Sequence, residues 1–478
     1  MLNKKFITNV IIAISFILSV LLSLFFISAY DTYQLDGYTH IMLKEETGAH
    51  WLKAAIILEQ IKNGIPIFTA GEEVFTKPLP QRLVAIYSYL TDFNIIEDWK
   101  NNKFAIGGKF LFLFAQSFLY YISVYFFYKQ IINFISPKIC FFIICFLCIE
   151  PTIFQYHSSF WTESFYFSIQ LLLFGTLLIR DEKNSKYIII GLLLGLLFLQ
   201  RSAGMFYIII ILIYLLIEKK NNKLKKITLV FLPYLIICLI LGFHNFKRAG
   251  VFYVMPTEAK YGVYKYFAKE ILIKSNNLSI TEVNKSEVKS SLIWIKNNLP
   301  QLDYKNYENI NSPYEIGVAI INEKDRIKFY KYLNQRAYEI IFDNVFLTLK
   351  NVINGFIHFT VINSFFVYYD YEFYKNYSSK IIGDFSFSEK HKQLIPIRII
   401  YTIFIYTMCL IGLAQIYRKQ PKITLLILLS ILYYYIILGW YGKTRLFAPC
   451  LIYLSIFFGY GLDTILKKFS LNKQKNGS

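Results

Sequence analysis

Charge is scarce in this chain of 478 residues: 17% are Asp, Glu, Lys or Arg, whereas 55% are hydrophobic. A soluble domain carries about 25% charged residues, so the composition points to an integral membrane protein. Acids are scarcer than bases, 31 against 51. The net charge of +20 is not gathered on one patch but split into short clusters between apolar runs, as the positive-inside bias predicts. A nucleic-acid partner is therefore not expected. Cysteine is rare too. Cys140, Cys145, Cys148, Cys238, Cys409 and Cys450 all fall in apolar runs, so no disulfide framework follows. The pair Cys145 and Cys148 has no other ligand type beside it and reads as buried small residues. A GxxxxGK[ST] phosphate loop is absent, and no soluble catalytic domain lies in the short cytoplasmic loops. An enzyme made from this chain would have to work on the other side of the membrane.

What is present is a succession of apolar runs. Residues 6–29 follow two lysines and exceed the about 7–15 residues of a signal-peptide core, which predicts an uncleaved first span. Further spans are expected over 104–128, 139–156, 160–179, 187–199, 203–217, 227–244, 396–417, 422–440 and 446–465. Residues 187–217 read as two short spans meeting at the outer face. A single span would carry Arg201 at mid-membrane, at about 2.5–3.5 kcal/mol on insertion scales. The basic loops, including EKKNNKLKK at 218–226, then all fall on the cytoplasmic side.

The expected architecture is an all-α polytopic protein of about ten transmembrane helices, with both termini cytoplasmic and amphipathic juxtamembrane helices in the first outer loop. It divides into an N-terminal transmembrane module over 1–244, which includes a first outer loop at 30–103, an extracytoplasmic or interfacial segment over 245–393, and C-terminal helices with a cytoplasmic tail over 394–478. Within the middle segment, 332–362 has helical apolar spacing broken by charged residues and reads as an interfacial or re-entrant piece.

Four constellations could carry chemistry on the outer face. Asp31, Asp36, Glu45 and Glu46 follow the first span, and a carboxylate at the membrane edge can act as a general base towards a hydroxyl. The short amphipathic helix after them, 51–64, would lie along the surface. Next, Thr76-Lys77-Pro78-Leu79-Pro80-Gln81-Arg82 makes a turn at the head of an apolar helix and holds Lys77 and Arg82 at headgroup level, where a phosphate would sit. Ordinary snorkelling of these cations is the plainer alternative. Third are His157 and Glu163 in the polar stretch EPTIFQYHSSFWTES. They are candidates for substrate or for a divalent metal ion, although one histidine and scattered acids define no ligand spacing and no metal is assigned. Glu163 also suits the N-terminus of a helix. Fourth, Arg201 and Arg445 stand at outer ends of apolar runs, against the charge bias, as an anionic lipid headgroup would require.

In order along the chain stand acids after the first span, a short helix ending in Gly, a KPxP turn, Thr162-Glu163 opening the fourth span, GLLLGLLFLQR at 191–201, FKRAGVFYVMPTEAKYG at 246–262 and TRLFAPCLIYL at 444–454. This order resembles the C-type (GT-C) multi-spanning glycosyltransferases, and among them the bacterial protein O-mannosyltransferase and aminoarabinose transferase group. The resemblance implies a polyprenyl-phosphate sugar donor, transfer with inversion on the extracytoplasmic side of the plasma membrane, and a lipid, glycan or protein acceptor. It also implies a first-loop acid as base and cations on the lipid phosphate. Lys77 matches the lysine of the family's Lys-Pro-Pro turn, with the second proline displaced to Pro80, and Arg201 and Arg445 match the arginines after the Gly-rich span and before the last one. Glu46 falls where the family commonly has Asp, and Asp36 lies further upstream, so these two lead Asp31 and Glu45 as the base. A transporter or flippase of lipid-linked glycans, or a polymerase of them, is the competing class, although no internal repeat of the kind transporters favour is visible.

Overall fold

A computed structural model of the chain describes residues 4–32, 47–66, 78–91, 106–157, 162–217, 222–254, 262–360, 389–439 and 444–475. Among the described residues every regular element is helical. The first ten helices are α1 (Lys4–Thr32), α2 (Thr47–Lys62), α3 (Pro78–Thr91), α4 (Ile106–Ile131), α5 (Pro137–Ile149), α6 (Pro151–Gln155), α7 (Glu163–Leu178), α8 (Asn184–Gln200), α9 (Tyr207–Ile217) and α10 (Lys223–Ala249). Then come α11 (Lys269–Asn276), α12 (Ile280–Asn298), α13 (Pro313–Ala319), α14 (Glu323–Asp343), α15 (Val345–Thr360), α16 (Glu389–Lys419), α17 (Pro421–Leu438) and α18 (Ala448–Lys475).

Among the described residues, 6 helices can cross a bilayer by length and composition: α1, α4, α10, α16, α17 and α18. Shorter apolar helices cover Pro137–Ile149, Glu163–Leu178, Asn184–Gln200 and Ser202–Ile217. Together they account for every segment that the hydropathy pattern marks as a span. The third is shorter than its apolar run, because Pro151 cannot continue the hydrogen-bond ladder and Glu150 closes α5 and caps α6. Between α8 and α9 the chain turns through a short 3₁₀ segment, Ser202–Gly204, as expected for two short spans that meet.

Side chains too small to keep backbones apart set the closest helix contacts. A Cβ on Gly412 of α16 would overlap the Phe457 carbonyl of α18, and one on Gly461 of α18 would overlap that of Met408. Gly191 and Gly195 of α8 likewise face Val230 and Ile237 of α10. Lipid chains are as apolar as Leu, so association inside a bilayer depends on this close fit rather than on a hydrophobic driving force. Around these seams runs one continuous apolar core, rich in tyrosine, that joins α4, α5, α7, α8, α9, α17 and α18.

Two parts stand outside that core. In the first, α2 and α3 pack together through Ala54, Ala55, Ile57, Val84 and Ala85, with Phe112 of α4 beneath them. In the second, residues 264–340 have their own core, with Ile295, Leu299, Ile316, Phe329, Tyr330 and Leu333 at its centre. This outer bundle is tied to the end of α10 where Ile327 meets Ala249 and Tyr253. The amphipathic piece expected at 332–362 is two helices, α14 and α15, bent by 103° at Asn344. The break is locally satisfied: the Asn344 side chain donates to the Ile340 carbonyl at 2.9 Å and the Thr348 hydroxyl to that of Ile341 at 3.2 Å.

Candidate active site

The best-defined polar cluster is where α7 begins and α8 ends. Glu163 is fully buried, and its Oε1 accepts a hydrogen bond from the Arg201 guanidinium at 2.5 Å. The Thr162 hydroxyl donates to the second carboxylate oxygen at 3.3 Å, and the Gln200 amide donates to the Thr162 carbonyl at 2.9 Å. The Arg201 guanidinium carbon lies over the Tyr166 ring, 5.8 Å from its centroid. Arg201 is thus held by a carboxylate and an aromatic face, a geometry that suits guanidinium far better than ammonium.

The turn after Arg201 is fixed by tyrosines from other helices. Tyr433 of α17 donates to the Ala203 carbonyl at 2.5 Å, and Tyr234 of α10 donates to that of Met205 at 2.5 Å. Below it, Tyr166 and Tyr434 share a hydrogen bond at 2.7 Å, and Gln170 donates to the Tyr434 hydroxyl at 2.8 Å. Tyr207 meets Tyr453 at 2.6 Å and Ser430 at 2.7 Å. The Gln170 amide also reaches the Tyr453 hydroxyl at 3.4 Å, so buried hydroxyls joined through Gln170 connect α7, α9, α17 and α18. Hydroxyls suit the site because each both donates and accepts, so a chain of them satisfies itself without water.

The connection from α5 to α7 borders the cluster. Glu150 accepts from the Ile153 N–H at 2.8 Å and from the Tyr401 hydroxyl of α16 at 3.2 Å. Burial pushes its carboxyl up to about 7 despite those bonds. His157 stacks on Tyr120 with ring centroids 3.8 Å apart, and its Nδ1 pairs with the Ser164 hydroxyl at 2.7 Å. Burial pushes this imidazole down to about 3, so it is neutral. Its Nε2 has no hydrogen-bond partner among the described residues. Gln116 and Ser117 of α4 donate to the His157 carbonyl at 3.3 and 3.2 Å, and Ser117 also pairs with Ser19 of α1 at 3.1 Å.

The remaining sequence candidates fall as follows. Arg82 is on the first turns of α3, half-buried, and α3 packs against α8, whose end carries Arg201. Arg445 is in the 3₁₀ turn Thr444–Phe447, which packs on α17, as does the Ser202–Gly204 turn. The elements that carry these three arginines are therefore linked through α8 and α17. For Arg445 and for Asp31, in the last turn of α1, backbone position alone is described. Asp36, Glu45, Glu46 and Lys77 lie outside the described residues. Glu163 is engaged with Arg201, and no group of three or more His, Cys, Asp and Glu side chains among the described residues could hold a metal ion.

The sequence reading passed over two participants. Arg398 is buried near the start of the apolar part of α16, one turn before Tyr401, which bonds Glu150. Its signal was an arginine two residues after Pro396 in LIPIRII, at the start of an apolar run as Arg445 is. Tyr166 carries no signal at all, being one tyrosine among 39.

No protein-family model matches the chain, and no curated protein matches it. Solved structures do. The archaeal oligosaccharyltransferase AglB from Archaeoglobus fulgidus, in complex with an inhibitory peptide and a dolichol-phosphate, aligns with a TM-score of 0.52 at 12% identity, covering 100% of this chain. An oligosaccharyltransferase of the same organism, tethered with an acceptor peptide containing the NVT sequon, aligns with a TM-score of 0.50 at 14% identity over 98% of this chain. The chain has the GT-C fold. It spans 52% and 50% of the length of those two enzymes, so the likeness covers about half of each and not the whole proteins. Within this GT-C fold, Arg201, Glu163 and Glu150 belong to the short connections at the ends of the apolar helices rather than to their middles.

Proposed function

We propose that this chain is an inverting membrane glycosyltransferase, taking its sugar from a polyprenyl-phosphate donor and passing it to a hydroxyl acceptor on the extracytoplasmic face. The observation that carries the reading is the GT-C fold together with a buried arginine, Arg201, held at a helix end beside the elements that bear Arg82 and Arg445. The dolichol-phosphate and the peptides in the related structures support a lipid-phosphate leaving group and are consistent with a peptide acceptor.

In the proposed reaction the acceptor oxygen attacks the anomeric carbon while a first-loop carboxylate, Asp36 or Glu46 ahead of Asp31 or Glu45, takes its proton. The bond between the anomeric carbon and the phosphate oxygen breaks, and its electron pair leaves with the phosphate. That leaving group is already a stable anion, so it needs fixed positive charge in a dry site rather than a strong acid. Lys77, Arg82, Arg201 and Arg445 supply that charge, with Arg398 as a further cation. Arg201 is the preorganised member, since Glu163 and Tyr166 fix it before any donor arrives.

The test is transfer from radiolabelled polyprenyl-phosphate sugars by purified protein in lipid. Lys77→Ala is expected to abolish transfer while leaving expression intact, and near-wild-type transfer would remove Lys77 from the mechanism. Movement of the labelled lipid across the bilayer without any sugar transfer would replace the whole reading with a flippase.

A further inference from the structure

α15 has three distinct sides. One faces protein: Asn351, Gly355 and Phe359 are buried, and Asn351 Oδ1 accepts from Lys274 of α11 at 2.9 Å. The second is apolar and bare, with Phe346 91%, Leu349 53%, Ile353 58% and Ile357 58% exposed. The third is polar and exposed, and consists of Lys350, Asn354 and His358. At about 100° per residue, the bare apolar stripe and the polar stripe adjoin along the length of the helix. A helix in water has no use for the second side, and a helix surrounded by hydrocarbon has no use for the third.

The far end of α15 shows which membrane level it occupies. Phe356 lies parallel to Tyr435 of α17 with centroids 6.4 Å apart, and Phe359 meets the edges of Tyr435 and Phe447 at 5.1 and 5.3 Å. The Tyr406 hydroxyl of α16 donates to the Thr360 carbonyl at 2.9 Å, satisfying a helix-end acceptor that lacks a partner within its own helix. Tyr435 lies in the last turn of α17, and Phe447 directly precedes α18. The last turn of α15 therefore packs beside the ends of the membrane-crossing helices α17 and α18. The membrane-crossing helices carry bare apolar side chains as well: Ile400 and Ile403 of α16 and Ile436 of α17 are 67%, 59% and 60% exposed.

From this geometry we propose that α15 is a monotopic membrane anchor. It lies in the boundary of the leaflet on the bundle's side, with Phe346, Leu349, Ile353 and Ile357 among lipid acyl chains and Lys350, Asn354 and His358 at headgroup level. Amphipathic helices with this division lie in the interfacial plane with the apolar side a few ångströms below the headgroups. The 103° elbow at Asn344 and the bond between Lys274 and Asn351 then hold the outer bundle at a fixed height above the bilayer. The occupant of the bare face is the lipid bilayer itself. The inference stands whether or not the chain transfers sugar.

Single nitroxide labels at 346, 349, 353 and 357, and at 350, 354 and 358, test it in the full-length protein in phosphatidylcholine–phosphatidylglycerol nanodiscs. Collision rates with oxygen, which concentrates in acyl chains, and with a water-soluble nickel chelate are read at each site. The expected result is a period-3.6 alternation, with oxygen dominant at the first four positions and nickel dominant at the other three. Nickel dominant at all seven would place the helix in water and overturn the proposal. Oxygen dominant at all seven would make the helix a span, and exclusion of both reagents from the first four would put protein, such as a second copy, on that face. Either result also overturns it. A label that disturbs folding is replaced by Leu349→Trp, whose fluorescence should be quenched by acyl-chain nitroxide lipids. Absence of quenching counts against the anchor.

Discussion

The membrane half and the outer bundle each contain a Glu–Arg pair and a glutamate that caps a helix, and the two environments use them differently. Glu163 and Arg201 are 0% and 7% exposed, and the carboxylate accepts from the guanidinium and from the Thr162 hydroxyl. In the bundle, Glu287 is 6% exposed but Arg336 is 32% exposed and reaches a second acid, Glu339, at 3.3 Å. Tyr264 donates to Glu287 as well, at 3.0 Å. Losing one partner leaves a charge that water can take up in the bundle, whereas in the membrane half both groups are shut away from water. A buried pair is weak support for stability, since hydrophobic replacements are often as good. Keeping one at the mouth of the helical bundle therefore suggests a role other than holding the fold.

The most damaging change should be in the membrane half and involve no charge. Gly412→Leu places a side chain where the α18 backbone already stands, and the two helices cannot meet without separating along their length. The expected outcome is loss of monodisperse protein on size exclusion in detergent, and a normal profile would show that the α16–α18 contact is looser than described. Breaking the buried pair comes next. Glu163→Ala should destabilise by about 3–5 kcal/mol by stranding Arg201. The double replacement Glu163→Leu with Arg201→Met should recover most of that in thermal unfolding while transfer activity stays lost. Recovery of activity as well would make the pair structural only.

The bundle counterpart should be milder. Arg336→Ala leaves Glu287 with the Tyr264 hydroxyl and partial access to water, so the expected cost is about 1–3 kcal/mol. Local hydrogen exchange across α12 and α14 should register it while the membrane helices stay protected. If the loss equalled that of Glu163→Ala, exposure would not be what separates the two pairs.

Much of the fold was legible because hydrocarbon imposes few solutions. A segment that crosses it must satisfy its own backbone, so apolar length located the helices, and the cost of Arg201 at mid-membrane located the turn between α8 and α9. Boundaries were less legible. The third span stops at Ile149 because Pro151 and the Glu150 cap end it, although its apolar run continues. The elbow at Asn344 was hidden for a similar reason, since α14 and α15 share one helical period and only local capping separates them. At the candidate site, the topology made Arg201 informative as a cation on the wrong side. Its partner Glu163 read as a helix-dipole acid or a ligand, because an ion pair between residues so far apart in the chain leaves no mark in either neighbourhood. Tyr166 was invisible for the same reason, being an ordinary tyrosine until the helices bring it to Arg201, whereas Arg398 carried a signal of its own as an arginine two residues after Pro396.

The two capping glutamates give the finest version of the comparison, and their pH dependences should have opposite signs. At α12 the Ser279 hydroxyl accepts the Glu282 N–H at 3.3 Å while the Glu282 carboxylate accepts the Ser279 hydroxyl at 2.7 Å and N–H at 2.8 Å. Those bonds, the hydroxyl first, hold the exposed Glu282 carboxyl below its usual 4.5. A depressed folded value means that the cap is complete above about pH 4.5 and is lost as the pH falls through the lower value. At α6, burial raises the Glu150 carboxyl to about 7. A raised folded value means the opposite: its contribution is complete below about pH 4.5 and is lost as the pH rises through about 7. Hydrogen exchange at the first-turn amides of α12 should therefore increase, relative to intrinsic rates, only under acid conditions, and Ser279→Ala should flatten that response. Thermal stability of the whole protein should decline between about pH 4.5 and 7, and Glu150→Gln, which can still accept from Ile153 N–H, should remove the decline. Two glutamates doing the same job would then respond to protons in opposite directions because one is in water and the other is not. A Glu150→Gln variant that kept the full decline would assign it to another group and leave the environment of Glu150 more polar than its burial implies.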